Sequence, residues 1–257
     1  MPTLVILLLA ALLAAPGRAA TLDEVLACVA RNAPKTALVQ TVVLTAQDRT
    51  GAERVHEAKL MARRFEDGLG RVLLRVEAPA DLRGTAFLLI QKEKGSDMFV
   101  YLPELKKVRR VTTRSLGGKL LGTDFSYEEL ERLFAQSRQG DVKLLADAEK
   151  DGRKAYALEA TPAPDAGSAY TRVTSLVDQQ TCVPLEIAFY QKGDAPKKVL
   201  SVDPARVTQE AGIHVPRLVV MRDLERGTET RLETHAIQVD PKLPNALFSR
   251  GSLDKDR

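Results

Sequence analysis

The sequence has no tryptophan, and phenylalanine and tyrosine bring the aromatic share to only 5% of 257 residues. An apolar pocket in such a chain must be walled mostly by aliphatic side chains. Three histidines and two cysteines leave little from which to build a metal cluster or an imidazole-based catalytic centre. There is no glycine-rich phosphate loop, no G-x-S-x-G elbow, no H-E-x-x-H and no C-x-x-C. Neither sign of charge dominates: 38 basic against 34 acidic residues leave +4, too weak an imbalance for a nucleic-acid binder. A polytopic membrane protein is excluded as well, because charged residues reach 28% and mean hydropathy is -0.16. What is there is a 44% hydrophobic fraction, ample for the core of one large domain or two small ones.

The longest apolar run, residues 4–15, is about a dozen residues, too short for a bilayer and suited to the hydrophobic segment of a signal peptide. Pro16-Gly17 breaks it, and Gly17-Arg18-Ala19 sets small residues where a signal peptidase cuts. Cleavage is expected after Ala19, with Ala20 as the alternative, leaving a leader of residues 1–19 and one mature domain over 20–257. Export gives Cys28 and Cys182 a compartment in which to pair. Closing so long a loop removes roughly 5 kcal/mol of unfolded-state entropy in the chain-entropy model. Two unrelated buried thiols are the other reading.

Thr21-Leu22-Asp23-Glu24 reads as a capping box that opens a helix over 22–32, with Leu22, Val25, Leu26 and Val29 on one face and Pro34 beyond its end. The pattern then switches to period two and predicts strands over 38–47, 53–65, 71–77, 86–91, 97–102 and 106–112. In 71–77 the alternation is clearest, giving one dry face (Val72, Leu74, Val76) and one wet face (Arg71, Leu73, Arg75, Glu77). A second capping box, Ser126-Tyr127-Glu128-Glu129, predicts a helix over 127–139 stopped by Gly140. Strands resume over 142–148, 154–161, 170–177, 182–190, 196–207, 213–222 and 228–239. About a dozen strands with two or three short helices describe a mainly β fold. Its expected form is a strongly curved antiparallel sheet, closed or half-open, with the helices as a lid over an apolar cavity.

His56, His214 and His235 fall in separate strands, and such scattered histidines are far more often structural than catalytic. Glu128 and Glu129 lie in a helix's first turn, where the macrodipole favours negative charge, and that suffices to explain them. No catalytic residue, metal or cofactor is expected. More distinctive is the stretch 105–122, which holds Lys106, Lys107, Arg109, Arg110, Arg114 and Lys119 and no acidic residue. Lys106, Lys107, Arg109 and Arg110 are candidates for docking an acidic partner or anionic headgroups. The plainer reading is a solvated strand edge whose cations deter edge-to-edge pairing.

Met98-Phe99-Val100-Tyr101-Leu102-Pro103-Glu104-Leu105-Lys106-Lys107-Val108-Arg109-Arg110, followed by Leu121-Gly122-Thr123-Asp124-Phe125-Ser126-Tyr127-Glu128-Glu129-Leu130, resembles the signature of LolA-like outer-membrane lipoprotein-sorting proteins, in particular their larger exported subgroup. Pro79-Ala80-Asp81-Leu82-Arg83-Gly84-Thr85, Asp178-Gln179-Gln180-Thr181-Cys182 and Phe189-Tyr190 support the likeness in the expected order. The resemblance implies a half-open antiparallel β-barrel with helices across its mouth, located in the periplasm of a Gram-negative cell. It implies a cavity for acyl chains or another lipid passed between membranes. It also implies an RND/MMPL-type inner-membrane exporter as partner, and no catalytic residues carry over.

One long acyl chain in water is unfavourable by roughly 10 kcal/mol, at about 0.8 kcal/mol per CH₂, so carriage requires an apolar container that opens. Strand alternation names the lining candidates: Val72, Leu74 and Val76; Tyr156 and Leu158; Val183, Leu185, Ile187 and Phe189. The same residues could equally form an ordinary filled core. The function expected is therefore a non-enzymatic, monomeric periplasmic carrier of lipid or lipoprotein acyl chains, binding no nucleic acid. The alternative is an accessory protein that docks an envelope transporter or assembly machine without carrying cargo.

Overall fold

Branched aliphatic residues at every second position commit most of this chain to strands, and the computed structural model describes the result over residues 19–135 and 140–255. After helix α1 (Leu22–Ala30), a meander runs through β1 (Ala37–Gln47), β2 (Glu53–Arg64), β3 (Gly70–Ala78), β4 (Ala86–Gln91), β5 (Ser96–Leu102) and β6 (Lys107–Arg110). Helix α2 (Tyr127–Ala135) interrupts it. A second meander follows through β7 (Gly140–Leu144), β8 (Ala148–Lys150), β9 (Arg153–Pro162), β10 (Arg172–Asp178), β11 (Pro184–Tyr190) and β12 (Lys198–Val202). The hairpin β13 (Val207–Glu210) and β14 (Ile213–Pro216) stands apart. Then β15 (Leu218–Asp223) and β16 (Thr228–Val239) join the meanders, β15 pairing with β12 and β16 with β1. The outcome is one 14-stranded sheet in the order β6-β5-β4-β3-β2-β1-β16-β15-β12-β11-β10-β9-β7, with β8 on β9.

The sheet bends without closing. One buried cluster draws on Met98 of β5 near one end and on Val173 of β10 near the other, together with Val42, Leu60, Leu74, Phe87, Leu185 and Leu200 between them. A flat sheet of that width could not bring these residues together. Register shifts at Thr41/Val42, Glu57/Ala58 and Leu176/Val177 mark bulges, which sharpen local twist and curvature. The expected curved antiparallel sheet with covering helices is thus present.

Several boundaries differ from expectation, each for a local reason. The segment 196–207 divides because Pro204 opens a short 3-10 turn (Pro204–Arg206) between β12 and β13. The segment 213–222 divides at Pro216-Arg217, so that β14 leaves the main sheet to pair with β13. The segment 142–148 divides into β7 and β8. The expected wet face of 71–77 is covered at its centre: Leu73 is buried, with Val39, Met61 and Leu88, beneath Phe248 and Leu253 of the C-terminal segment, while Glu77 stays exposed. Arg71 and Arg75 remain polar by donating to the backbone carbonyls of Phe248 and of Ser252 and Leu253. The leader up to residue 18 and the helix end expected over 136–139 lie outside the described residues.

Candidate functional site

Three pieces cover the concave face. At one end α1 sets Val25, fully buried, on Leu158 and Val177, with Leu22, Leu26, Val29 and Tyr156 around them. Its capping box is present as the sequence predicts, with Glu24 N–H donating to Thr21 Oγ1 and Thr21 N–H to Glu24. Cys28 and Cys182 form a disulfide. Asn32 then donates to the Thr181 carbonyl at 2.7 Å and accepts from His214 N at 2.9 Å, tying α1 to the hairpin. That hairpin, the second piece, packs Ile213 and Val215 on Leu38, Ile237 and Val239.

The third piece, 111–135, is held differently. Leu116, Leu120, Phe125 and Leu130 enter the central cluster, and the Tyr127 ring stacks on Phe87 at 5.4 Å. Beneath these contacts lie charges. Glu129 is fully buried and receives Lys198 Nζ at 3.0 and 3.3 Å, the Tyr170 hydroxyl and the Ser126 N–H. Lys198 Nζ also donates to the Asp124 carbonyl at 2.7 Å. The Asp124 carboxylate accepts the hydroxyls of Thr228 (2.6 Å) and Thr230 (2.8 Å). Glu128 is buried too, taking Ala169 N at 2.8 Å, Arg132 Nη2 at 2.9 Å and the Ser168 hydroxyl. Burial, and then the adjacent Glu129 charge, push the Tyr170 phenol's pKa far above its ordinary value, so it stays a neutral donor.

The helix macrodipole is therefore not a sufficient account of Glu128 and Glu129. They form the hub of a buried polar cluster, and two buried charges persist only where hydrogen bonds satisfy them. A signal for it did exist in the sequence. Lys198, Leu200 and Val202 alternate onto the inner face of β12, so a lysine stands in an apolar row and needs an anionic partner.

A cavity of about 270 Å³ lies between this cover and the inner face of the first meander. Its walls are Leu74, Phe87, Val100 and Leu102 from the sheet, Leu82 and Thr85 from the loop before β4, Lys119 to Gly122, and Tyr127. Leu121 and Gly122 both have positive φ (53° and 73°). The leucine's left-handed backbone costs roughly 1–3 kcal/mol and turns the chain back toward the sheet at the cavity wall. Buried His56 faces the Leu121 carbonyl. Burial pushes its pKa below the ordinary value, against the opposing influence of Asp81 and that carbonyl. The volume exceeds the roughly 150 Å³ that admits benzene but falls below the roughly 300–1,000 Å³ of pockets for drug-sized ligands. A second cavity of about the same size lies by Val39, Met61 and Leu243.

Of the nine lining candidates, Leu74 borders the first cavity. Val72, Val76, Val183, Leu185 and Phe189 are buried in the central cluster, and Ile187 packs at its margin. Tyr156 and Leu158 lie beneath α1. In the basic run, Lys106 has a left-handed backbone in the turn before β6, and Lys107, Arg109 and Arg110 are exposed on that edge strand. Arg110 is ion-paired with Asp97. Among the described residues no group of His, Cys, Asp or Glu could hold a metal ion, and no helix is long and apolar enough to cross a membrane.

A family model described as "Uncharacterized protein" matches residues 68–255. No curated protein matches the sequence. Among solved structures, the chain is similar to a domain designated an outer membrane lipoprotein-sorting protein from Vibrio parahaemolyticus, with TM-score 0.82 and 24% identity over 90% of this chain and 96% of that one. A DUF1329 family protein from Desulfovibrio piger gives the same four values. A LolA superfamily protein from Nitrosomonas europaea gives TM-score 0.70 and 20% identity over 90% of this chain and 98% of that one. At such identities the likeness is one of fold.

Proposed function

Since the chain belongs to the family of uncharacterized proteins whose model spans residues 68–255, and has the LolA-like fold, we propose that it is a periplasmic, non-enzymatic carrier of lipid or lipoprotein acyl chains. The observation that carries this reading is the apolar cavity beneath the 119–122 turn and Tyr127, part of a cover held by side-chain contacts with no covalent tie of its own. A carrier must hide hydrocarbon in water and release it at a membrane, and a cover of this kind meets both needs. With α2 lifted, Val72, Val76, Val183, Leu185, Ile187 and Phe189 extend the wall that Leu74 begins, while α1 keeps Tyr156 and Leu158 covered. The leader over residues 1–19 directs export of a single domain over 20–257, and the Cys28–Cys182 bond suits an oxidising compartment. An RND/MMPL-type exporter of the inner membrane is the proposed partner.

Organic extraction of the purified protein, followed by mass spectrometry, should recover a lipid, and the protein should bind fluorescent fatty acids. Recovery of no apolar ligand together with failure to bind the probes would overturn the reading. The packed interior supports a second one, a docking protein that carries nothing. It would be favoured by a lipid-free protein that still co-fractionates with an exporter.

A further inference from the structure

The carrier reading leaves the ligand's headgroup open, and the register of the sheet edge speaks to it. Resting on that reading, we infer that the cavity takes an apolar chain bearing an anionic headgroup, which Lys107, Arg109 and Lys119 hold at the rim. Val100 and Leu102 of β5 line the cavity. In the β5–β6 pairing, Arg109 stands opposite Val100 and Lys107 opposite Leu102. Residues directly opposite on antiparallel strands project from the same face, with Cβ atoms about 5 Å apart. Both cations therefore rise on the cavity side of the sheet, one residue beyond its wall. The alternate residues face the other way: Val108 packs into the outer cluster under Phe248, and Arg110 pairs with Asp97.

The third cation completes the rim. Lys119 lines the cavity and keeps its side chain 36% exposed, so it stands where the wall meets solvent. Its carboxylate neighbour, Asp124, is 3.5 Å away and already accepts the hydroxyls of Thr228 and Thr230. An ammonium has three donors, which leaves Lys119 able to bind more. Exposed Lys107 and Arg109 form no ion pair among the described residues. Carboxylates are few here: Asp81 belongs to the loop before β4, Glu104 precedes the run, and 105–122 has none. Protection of a sheet edge accounts for cations on β6, but not for unpaired ones gathered on the face that borders an apolar cavity.

Titration calorimetry below the micellar concentration, with palmitoyl-lysophosphatidylglycerol and palmitoyl-lysophosphatidylcholine, tests this inference apart from the carrier reading. Both should bind, the anionic lipid about tenfold more tightly at low salt. The preference should collapse in 1 M NaCl, where the screening length falls to about 3 Å. Arg109→Glu should weaken the anionic lipid about fivefold and leave the zwitterionic one within about twofold. Arg110→Glu, one residue along and on the opposite face, should change neither by more than about twofold. Equal affinity for the two lipids, or equal effects of the two substitutions, would overturn the headgroup assignment and leave the carrier standing. Binding of neither lipid would sink both.

Discussion

Two helices of nine residues rest on the same concave face and are secured in opposite ways. Helix α1 offers an apolar stripe around Val25 and adds the Cys28–Cys182 bond. Helix α2 combines apolar contacts with the buried carboxylates Glu128, Glu129 and Glu131. A covalent tie persists whatever happens to the charges around it. An ion pair under a helix holds only while both charges find partners, and losing one leaves the other buried and unpaired. On the proposed carrier reading, α2 is the part of the cover that lifts and α1 is the clamp.

The largest expected effect breaks the clamp. Replacing Cys28 and Cys182 by serine releases a loop of 154 residues, which lowers stability by roughly 5 kcal/mol in the chain-entropy model. Denaturant titration measures it, and a loss under about 2 kcal/mol would mean that the apolar seat of α1 suffices. Next comes the lid. Lys198→Met strands the buried Glu129 carboxylate and should cost about 3–5 kcal/mol. Lys198→Met combined with Glu129→Leu should recover most of it, because an apolar pair needs no partner. Failure of that recovery would show that the rest of the cluster depends on the pair. Thr230→Val removes a hydroxyl that both accepts from Asp124 N and donates to its carboxylate. About 1–3 kcal/mol should go, with hydrogen exchange rising over 116–135 and not over 22–30.

The same contrast explains what could be read beforehand. The flanking turn residues gave the ends of β4 and β16 to the residue, although β4 is a continuous apolar run and β16 carries the bulge opposite Thr41/Val42. Local pattern also gave the cap of α1. It failed for the partners of α2, since Tyr170 and Lys198 lie 41 and 69 positions from Glu129, the hub they share. Alternation also names inward faces without saying whether the space before them is filled. Val72 and Leu74 obey one rule, yet of the two Leu74 alone borders the void. The C-terminal segment gave little warning either: Leu247-Phe248 ends one short 3-10 turn and Leu253 caps another, and only tertiary packing makes them a cover for β1–β4.

The smallest effect is set by pH and separates the two covers without mutation. On the clamp side, burial would raise the Asp178 pKa. Arg153, at 3.1 and 2.6 Å, and Thr181 outweigh it and hold the carboxylate below its ordinary range. Its folded pKa is thus below the unfolded one, so its stabilisation is complete above about pH 4 and is lost only as pH falls further. On the lid side, His56 has a folded pKa lowered by burial. The unfolded chain then takes up the proton first, and stability declines as pH drops below about 6.5. Between about pH 6 and 5 the turn at Leu121 should therefore loosen while the Asp178 anchor of α1 stays whole. Hydrogen exchange at both values, divided by the intrinsic amide rate at each pH, should show lower protection over 116–126 with 22–30 unchanged, and His56→Gln should abolish the difference. Equal acceleration at both sites would mean that acid acts on the whole sheet and that the two covers are not independent.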